Sequence, residues 1–189
     1  MKERVDKDTP QIIQDLFAYP YYWVKEMNLE GTFLDVGCGE RNLGKELFNA
    51  EGVDIAGNLK TIYKKMDARN LLWSDKSFDY VTCFELIEHI PEEDQRQVID
   101  ELLRVARKKV FIGSVNKNGP NFIEGVEIYK GERNPFHLRE LGITEFIDLI
   151  GKPGRIIQMF HSVYEDGKFQ MKTGFSDGGF CFYVIITKK

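Results

Sequence analysis

The stretch "FLDVGCGERNLGKEL", Phe33 to Leu47, constrains the chain more than any other. An apolar run broken by Asp35 leads into Gly37 and Gly39, then into a segment of helix-forming residues. That is a strand, a tight turn and a helix. Glycines at such a turn let the backbone bend where other residues resist, and let a ligand approach it closely.

The same alternation continues. "GVDIAG" reads as a second strand, "IYKKMDA" as a third and the start of "SFDYVTCFELIEHI" as a fourth. The segment "PEEDQRQVIDELLRVARKK" predicts a long helix with Pro91 at its start. Its stripe of Val98, Ile99, Leu102, Leu103, Val105 and Ala106 has helical spacing. Glu92, Glu93 and Asp94 at one end and Arg104, Arg107 and Lys108 at the other suit the helix dipole. "KVFIGSV" follows as strand five. "GITEFIDLIG" predicts a short helix, with Gly142 as N-cap and Glu145 beyond it. "GRIIQMFHSV" and "GFCFYVIITKK" are two final strands, joined by the glycine-rich "KTGFSDGGF" in a hairpin-like connection. Strands alternating with helices imply an α/β fold: a doubly wound, mostly parallel sheet with an antiparallel last strand. Residues 1–189 read as one domain. Ahead of it, Thr9 can cap a helix, Pro10 suits its first turn, and Pro20 predicts its interruption. Tyr21, Tyr22 and Trp23 then either pack on the sheet or, within residues 1–30, form a lid.

Several function classes recede on composition. The net charge is −4, with no basic footprint for a nucleic-acid partner. The three cysteines, Cys38, Cys83 and Cys181, are widely spaced, with no CxxC pair for a disulfide framework or a zinc site. No metal-ligand cluster stands out. The charged N-terminus lacks a signal-like apolar core, and no run is long enough to span a bilayer, so a cytoplasmic protein without membrane contact is expected.

In an open α/β sheet, ligands bind beyond the carboxyl ends of the strands. Polar residues stand there after each predicted strand: Asp35, Asp54, Asp67, Glu85, Ser114 and Asn116. Two ligand classes suit a glycine turn with an acid on the second strand. A dinucleotide needs G-x-G-x-x-G, but Asn42 holds the third glycine's position and Glu40 places a carboxylate near the pyrophosphate. A ligand with a cationic end suits Asp35 and Glu40 better. S-adenosylmethionine has an amino group and a sulfonium, and Asp54 can accept hydrogen bonds from its ribose diol.

At this point the chain resembles a class I S-adenosylmethionine-dependent methyltransferase of the small type 11 kind. "FLDVGCG", "GVDIA", "MDARNLLWSDKSFDYVTCFELIEHIP" and "LLRVARKKVFIGSVN" match that family's elements in order, from Thr32 to Asn116. The resemblance implies a Rossmann-like fold. It implies Asp35, Gly37 and Gly39 around the methionine part of the cofactor, with Phe84 near it. Asp54 would hold the ribose, and Asp67, with the Ala68 backbone, the adenine. One departure is Arg41, where such proteins often carry a glycine. Another is the short "AGNLKTI" between strands two and three.

Methyl transfer from a sulfonium needs mainly alignment, and a base only when the acceptor must lose a proton. In "NPFHLREL", His137 and Glu140 resemble a pair found in methyltransferases acting on small hydroxylated compounds, which makes them the catalytic candidates. Glu88 and His89 are either part of the family pattern or a structural contact. His161 lies mid-strand and reads as structural. Residues 117–140, with Phe122, Tyr129 and Phe136, are expected to shape the pocket of a small-molecule acceptor, methylated on oxygen or nitrogen. An RNA or protein methyltransferase, or a non-catalytic binding subunit of the same fold, are the alternatives.

Overall fold

The computed structural model describes residues 9–55, 64–128, 136–151 and 156–188. Eight strands form one sheet in the order β3-β2-β1-β4-β5-β10-β8-β9. Its parallel half comprises β1 (Phe33–Val36), β2 (Glu51–Asp54), β3 (Lys64–Lys65), β4 (Phe78–Phe84) and β5 (Ala106–Val115). The antiparallel half is β8 (Ile156–Glu165), β9 (Lys168–Thr173) and β10 (Cys181–Thr187), with β10 against β5. A small separate hairpin pairs β6 (Phe122–Ile123) with β7 (Val126–Glu127). The doubly wound, Rossmann-like sheet is as expected, but its antiparallel part is three strands.

Two hydrophobic cores flank the sheet because strand side chains alternate between faces. Leu34, Val36, Val81 and Cys83 pack towards α3 (Glu92–Val105) and α4 (Ile143–Ile150), through Val98, Ile99, Leu102, Phe146 and Ile150. Phe33, Tyr80, Phe84, Phe111 and Tyr183 pack on the other face with Ile13, Leu16, Tyr21 and Val24 of α1 (Gln11–Glu26) and with Leu43 of α2 (Leu43–Phe48). Every residue of β4 is buried, as expected of a central strand covered on both sides.

Four local expectations are corrected. α1 runs unbroken through Pro20. A proline inside a helix costs about 3 kcal/mol, whereas burying each large apolar side chain contributes about 1.5–3 kcal/mol. Ile13, Leu16, Tyr21 and Val24, all buried, therefore outweigh it. The aromatic cluster after it belongs to this helix. Trp23 packs edge-on against Phe160, with ring centroids 4.9 Å apart.

α3 ends at Val105, and Ala106 already pairs with Phe78 in the sheet. Arg107 and Lys108 are thus strand residues, and both ion-pair with Asp79 instead of facing the helix end. Lys188 takes over the helix end, its Nζ donating to the carbonyls of Leu103 and Ala106 at 2.5 and 2.8 Å.

"IYKKMDA" contributes only the two-residue edge strand β3 among its described residues. The hairpin near the C-terminus lies between β8 and β9, at Asp166 and Gly167, with φ of 52° and 75°. Left-handed angles at both central residues are the Asp-Gly turn whose twist matches a hairpin. The glycine-rich segment instead carries the chain from edge strand β9 back to β10. The short "AGNLKTI" segment lies outside the described residues.

Candidate active site

The turn after β1 is built as its glycines suggest. Gly37 has φ of 77° and Gly39 of 57°. Both Gly37 N and Cys38 N donate to the Val53 carbonyl, at 2.8 and 3.1 Å, which lays the turn over the end of β2. Gly39 N donates to Asp54 Oδ2 at 3.1 Å. A Cβ on Gly37 would press against Leu86 at 3.0 Å, whereas one on Gly39 would meet nothing within 4 Å. Packing and a left-handed φ together hold Gly37 to glycine, whereas Gly39 is favoured by its left-handed φ and leaves open space that suits close approach of a ligand. Asn42, in the third-glycine position, adopts the left-handed φ of 43° that a glycine would, and its side chain accepts from Lys45 N to cap α2. Glu40 and Arg41 are exposed, and Arg41 pairs with neither Glu40 nor Asp35.

Asp35 lies beneath this turn, fully buried. It shares a register position with Thr82 of β4, so both side chains face α1. Thr82 Oγ1 donates to Asp35 Oδ1 at 2.7 Å, and Tyr21 of α1 adds its hydroxyl at 3.3 Å. Burial pushes the Asp35 carboxyl up to about 7 against the pull of these donors. Phe84, at the end of β4, is buried edge-on to Tyr21 with centroids 5.0 Å apart. Tyr21 thus joins the glycine turn to Phe84. Sequence reasoning saw it only as one of three aromatics, because α1's approach to Asp35 is a tertiary fact.

Asp54 leads on to the adenine candidates, since Met66 N donates to the Asp54 carbonyl at 3.1 Å. Asp67 opens a turn in which its Oδ1 accepts from Arg69 N at 2.9 Å. Arg69 NH2 also reaches Asp67 Oδ2 and NH1 reaches Asp94, both at 2.6 Å. The Arg69 guanidinium holds the Asp67 carboxyl below its ordinary range. Ala68 is buried beside it. Asp35, Gly37, Gly39, Asp54 and Phe84 are thus brought together at one edge, with Asp67 and Ala68 next along the chain from the Met66–Asp54 bond and Asp67 already engaged by Arg69.

His137 and Glu140 meet on the β4 side, with Nδ1 to Oε1 at 2.5 Å. Their loop is docked onto the 3-10 turn Ile87–His89 that follows β4. Leu138 N and Arg139 N both donate to the Glu88 carbonyl, at 2.8 and 3.1 Å. The His89 Nδ1 and the Phe136 carbonyl are 2.6 Å apart, and the His89 and His137 rings lie edge-on, 4.7 Å between centroids. Gln95 of α3 steadies the turn from below, donating to the carbonyls of Ile87 and Ile90. Arg139 extends that network to Gln95 and Glu145. Glu88, His89 and His137 form a group of potential metal ligands, which sequence spacing did not reveal. His161 bonds the Gly174 carbonyl at 2.8 Å, as a structural histidine does. Tyr129 lies outside the described residues. The three cysteines are buried thiols with no disulfide among them, and burial raises those of Cys38 and Cys181. Among the described residues, no helix is long and apolar enough to cross a membrane.

Comparison with known proteins gives a consistent result. Residues 1–130 match the family model described as a methyltransferase domain. A ubiquinone biosynthesis O-methyltransferase of Coxiella burnetii is 26% identical over 161 residues, covering 75% of this chain and 66% of that protein. The chain thus spans just under two thirds of that relative's length. A Thermotoga maritima structure titled as a SAM-dependent methyltransferase, possible histamine N-methyltransferase, superposes with a TM-score of 0.74 at 19% identity, over 95% of this chain and 92% of that one. Magnesium protoporphyrin IX methyltransferase from Synechocystis PCC 6803, solved with bound SAM, gives 0.62 at 15% identity, over 100% and 87%.

Proposed function

The chain belongs to the methyltransferase-domain family, of the class I S-adenosylmethionine-dependent kind, and on that premise we propose that it transfers a methyl group from S-adenosylmethionine to an oxygen or nitrogen of a small molecule. The observation that carries this reading is the bond from Gly39 N to Asp54 Oδ2 beneath open space at Gly39. It fixes a backbone cradle and a ribose-binding carboxylate as one unit. The O-methyltransferase relative supports an oxygen acceptor.

When bound, S-adenosylmethionine supplies a methyl group on a sulfonium that leaves as a neutral thioether. The chain's own task is to align the reactants, which can contribute several kcal/mol, up to about 7–11 kcal/mol. In the proposed site the glycine turn and Asp35 face the aminoacyl end, Asp54 accepts from the ribose hydroxyls, and Asp67 with Ala68 borders the adenine. Phe84 closes the methionine side. His137 and Glu140 are the catalytic candidates on the acceptor side. Because a carboxylate only accepts, Glu140 draws the His137 proton to Nδ1 and leaves the lone pair on Nε2. That nitrogen can take a proton from the acceptor as its oxygen or nitrogen forms the new bond to carbon.

Calorimetric titration with S-adenosylhomocysteine tests the reading. Asp54→Ala removes the ribose acceptor and should weaken binding by about 1–3 kcal/mol. Equal affinity in wild type and variant would remove Asp54 from the site.

A further inference from the structure

We infer that Glu88, His89 and His137 form a binding site for a divalent first-row transition ion, which holds and acidifies a hydroxyl of the methyl acceptor. The inference rests on the methyltransferase reading for its role, but not for its geometry.

Glu88 is the starting point. It is fully buried, and its Oε2 accepts from Ser114 Oγ at 3.0 Å, while Oε1 has no hydrogen-bond partner. A buried carboxylate oxygen in that condition is costly unless a cation or donor meets it. The nearest candidate donor, His89 Nε2, stands 3.8 Å away, beyond hydrogen-bond reach. The Phe136 carbonyl can only accept, so His89 Nδ1 carries a proton and Nε2 is the nitrogen turned to Glu88. Glu140 sets a proton on His137 Nδ1 in the same way. One ligand atom each from Glu88, His89 and His137 lies within 4.8 Å of the others. A divalent ion placed among them would give the buried Glu88 Oε1 the opposite charge it lacks.

The pattern matches what a metal site requires. Ligating histidines donate their other N–H to a carboxylate or a backbone carbonyl, which fixes both tautomer and ring orientation. Both histidines here do so. Donors bound at about 2.1 Å lie about 3–4.2 Å apart in one coordination shell. The 3.8 Å between Glu88 Oε1 and His89 Nε2 falls in that range. The widest gap closes with side-chain shifts of a few tenths of an ångström. Imidazole with carboxylate suits zinc, iron(II) or manganese(II) better than an all-oxygen ion such as calcium. Three protein ligands leave positions open for oxygen from outside.

A hydroxyl in such an open position loses its proton more readily, because the ion stabilises the alkoxide or phenolate. With an ion bound, His137 would serve as its ligand, and the proton-accepting role given to its Nε2 in the metal-free site would pass to water. In the transfer the acceptor oxygen forms a bond to the methyl carbon, the carbon–sulfur bond breaks with its electron pair on sulfur, and the hydroxyl proton passes to water. Acceptors with a hydroxyl, alone or beside a second oxygen, are therefore the substrate class.

Metal-stripped, untagged protein is titrated calorimetrically with zinc and manganese(II), and with cobalt(II) followed by visible absorption. One ion per chain is expected, with cobalt bands of imidazole ligation. Glu88→Gln, which preserves shape and the Ser114 partner, and His137→Ala should each weaken binding at least tenfold. Glu140→Gln should weaken it about 10–100-fold by loosening His137. His161→Gln, remote from the cluster, should leave it unchanged. S-adenosylhomocysteine binding in the same variants reports that they fold. Absence of saturable binding by all three ions, in protein that binds S-adenosylhomocysteine, overturns the inference. So does an ion affinity that Glu88→Gln and His137→Ala leave intact. Ion binding without S-adenosylhomocysteine binding would instead keep the metal site and defeat the methyltransferase reading.

Discussion

Asp35 makes the folding stability of this chain depend on pH in a direction opposite to most carboxylates. Its carboxyl is fully buried and raised from 3.8 to about 7, chiefly by desolvation. An unfolded chain releases that proton near 3.8, the folded chain near 7. Between those values the native state holds more protons than the unfolded state, so stability falls as pH rises through the window and levels off above it. Each unit corresponds to about 1.36 kcal/mol. Between pH 5 and pH 7 the wild type should thus lose about 2–3 kcal/mol through this one group. Asp35→Asn removes the titration while keeping an oxygen for Thr82 and Tyr21. Urea unfolding of both proteins at pH 5, 6, 7 and 8 isolates the effect, because histidines and surface acids cancel in the difference. The variant should gain on the wild type steadily up to about pH 7 and hold that advantage at pH 8. A stability difference that stays constant from pH 5 to pH 8 would refute the reasoning, since Asp35 would then ionise as it does in the unfolded chain.

Two further substitutions separate packing from binding. Gly37→Ala forces a methyl against Leu86 at a left-handed φ and should destabilise the fold by about 1–3 kcal/mol, read from the urea midpoint. Gly39→Ala meets no atom within 4 Å, so its larger effect should be on S-adenosylhomocysteine affinity, read by calorimetry. The hydrogen bond that Asp79 accepts from Thr32 N, with Lys108 and Arg107 beside it, holds its carboxyl at about 2. Asp79→Ala should cost about 1–3 kcal/mol at pH 7 by orphaning the Thr32 amide. Because the folded value lies below the unfolded one, that deficit should shrink as pH falls from 5 towards 2.

What the sequence revealed and what it hid follow from the range of the interactions involved. Gly37, Gly39 and Asp54 could be placed because a turn and the end of the next strand are fixed by local geometry. The break between α3 and β5 could not, because "LLRVARKK" has no glycine or proline. It is set by the pairing of Ala106 with Phe78 and by Lys188, far away in the chain. The strand β9, "KFQMKT", is a partly exposed edge strand with little apolar signal, and the Asp166–Gly167 turn that announces it was outweighed by the richer glycine segment after it. Tyr21 escaped notice as an Asp35 partner because Pro20 suggested a helix end just before it. Glu88, His89 and His137 were each visible as residues. Their convergence depends on two loop amides, Leu138 N and Arg139 N, meeting one carbonyl, which no spacing rule encodes.

The charge of the site edge bears on how the proposed cofactor and ion could coexist. A sulfonium nucleoside and a divalent cation side by side repel each other, and each needs its own carboxylate. Asp67 is already matched by Arg69, and Asp35, raised to about 7, is only about half ionised at neutral pH, so neither counts fully. Asp54 remains for the nucleoside and Glu88 for the ion, with Glu85, buried just after β4, between them in sequence. Methyl transfer removes the sulfonium charge. For one carboxylate about 8 Å away at an effective dielectric of about 20, that charge is worth about 2 kcal/mol. An acidic edge therefore holds the methyl donor more tightly than the thioether product, and the same carboxylates that assemble the reactants favour release once the methyl has moved.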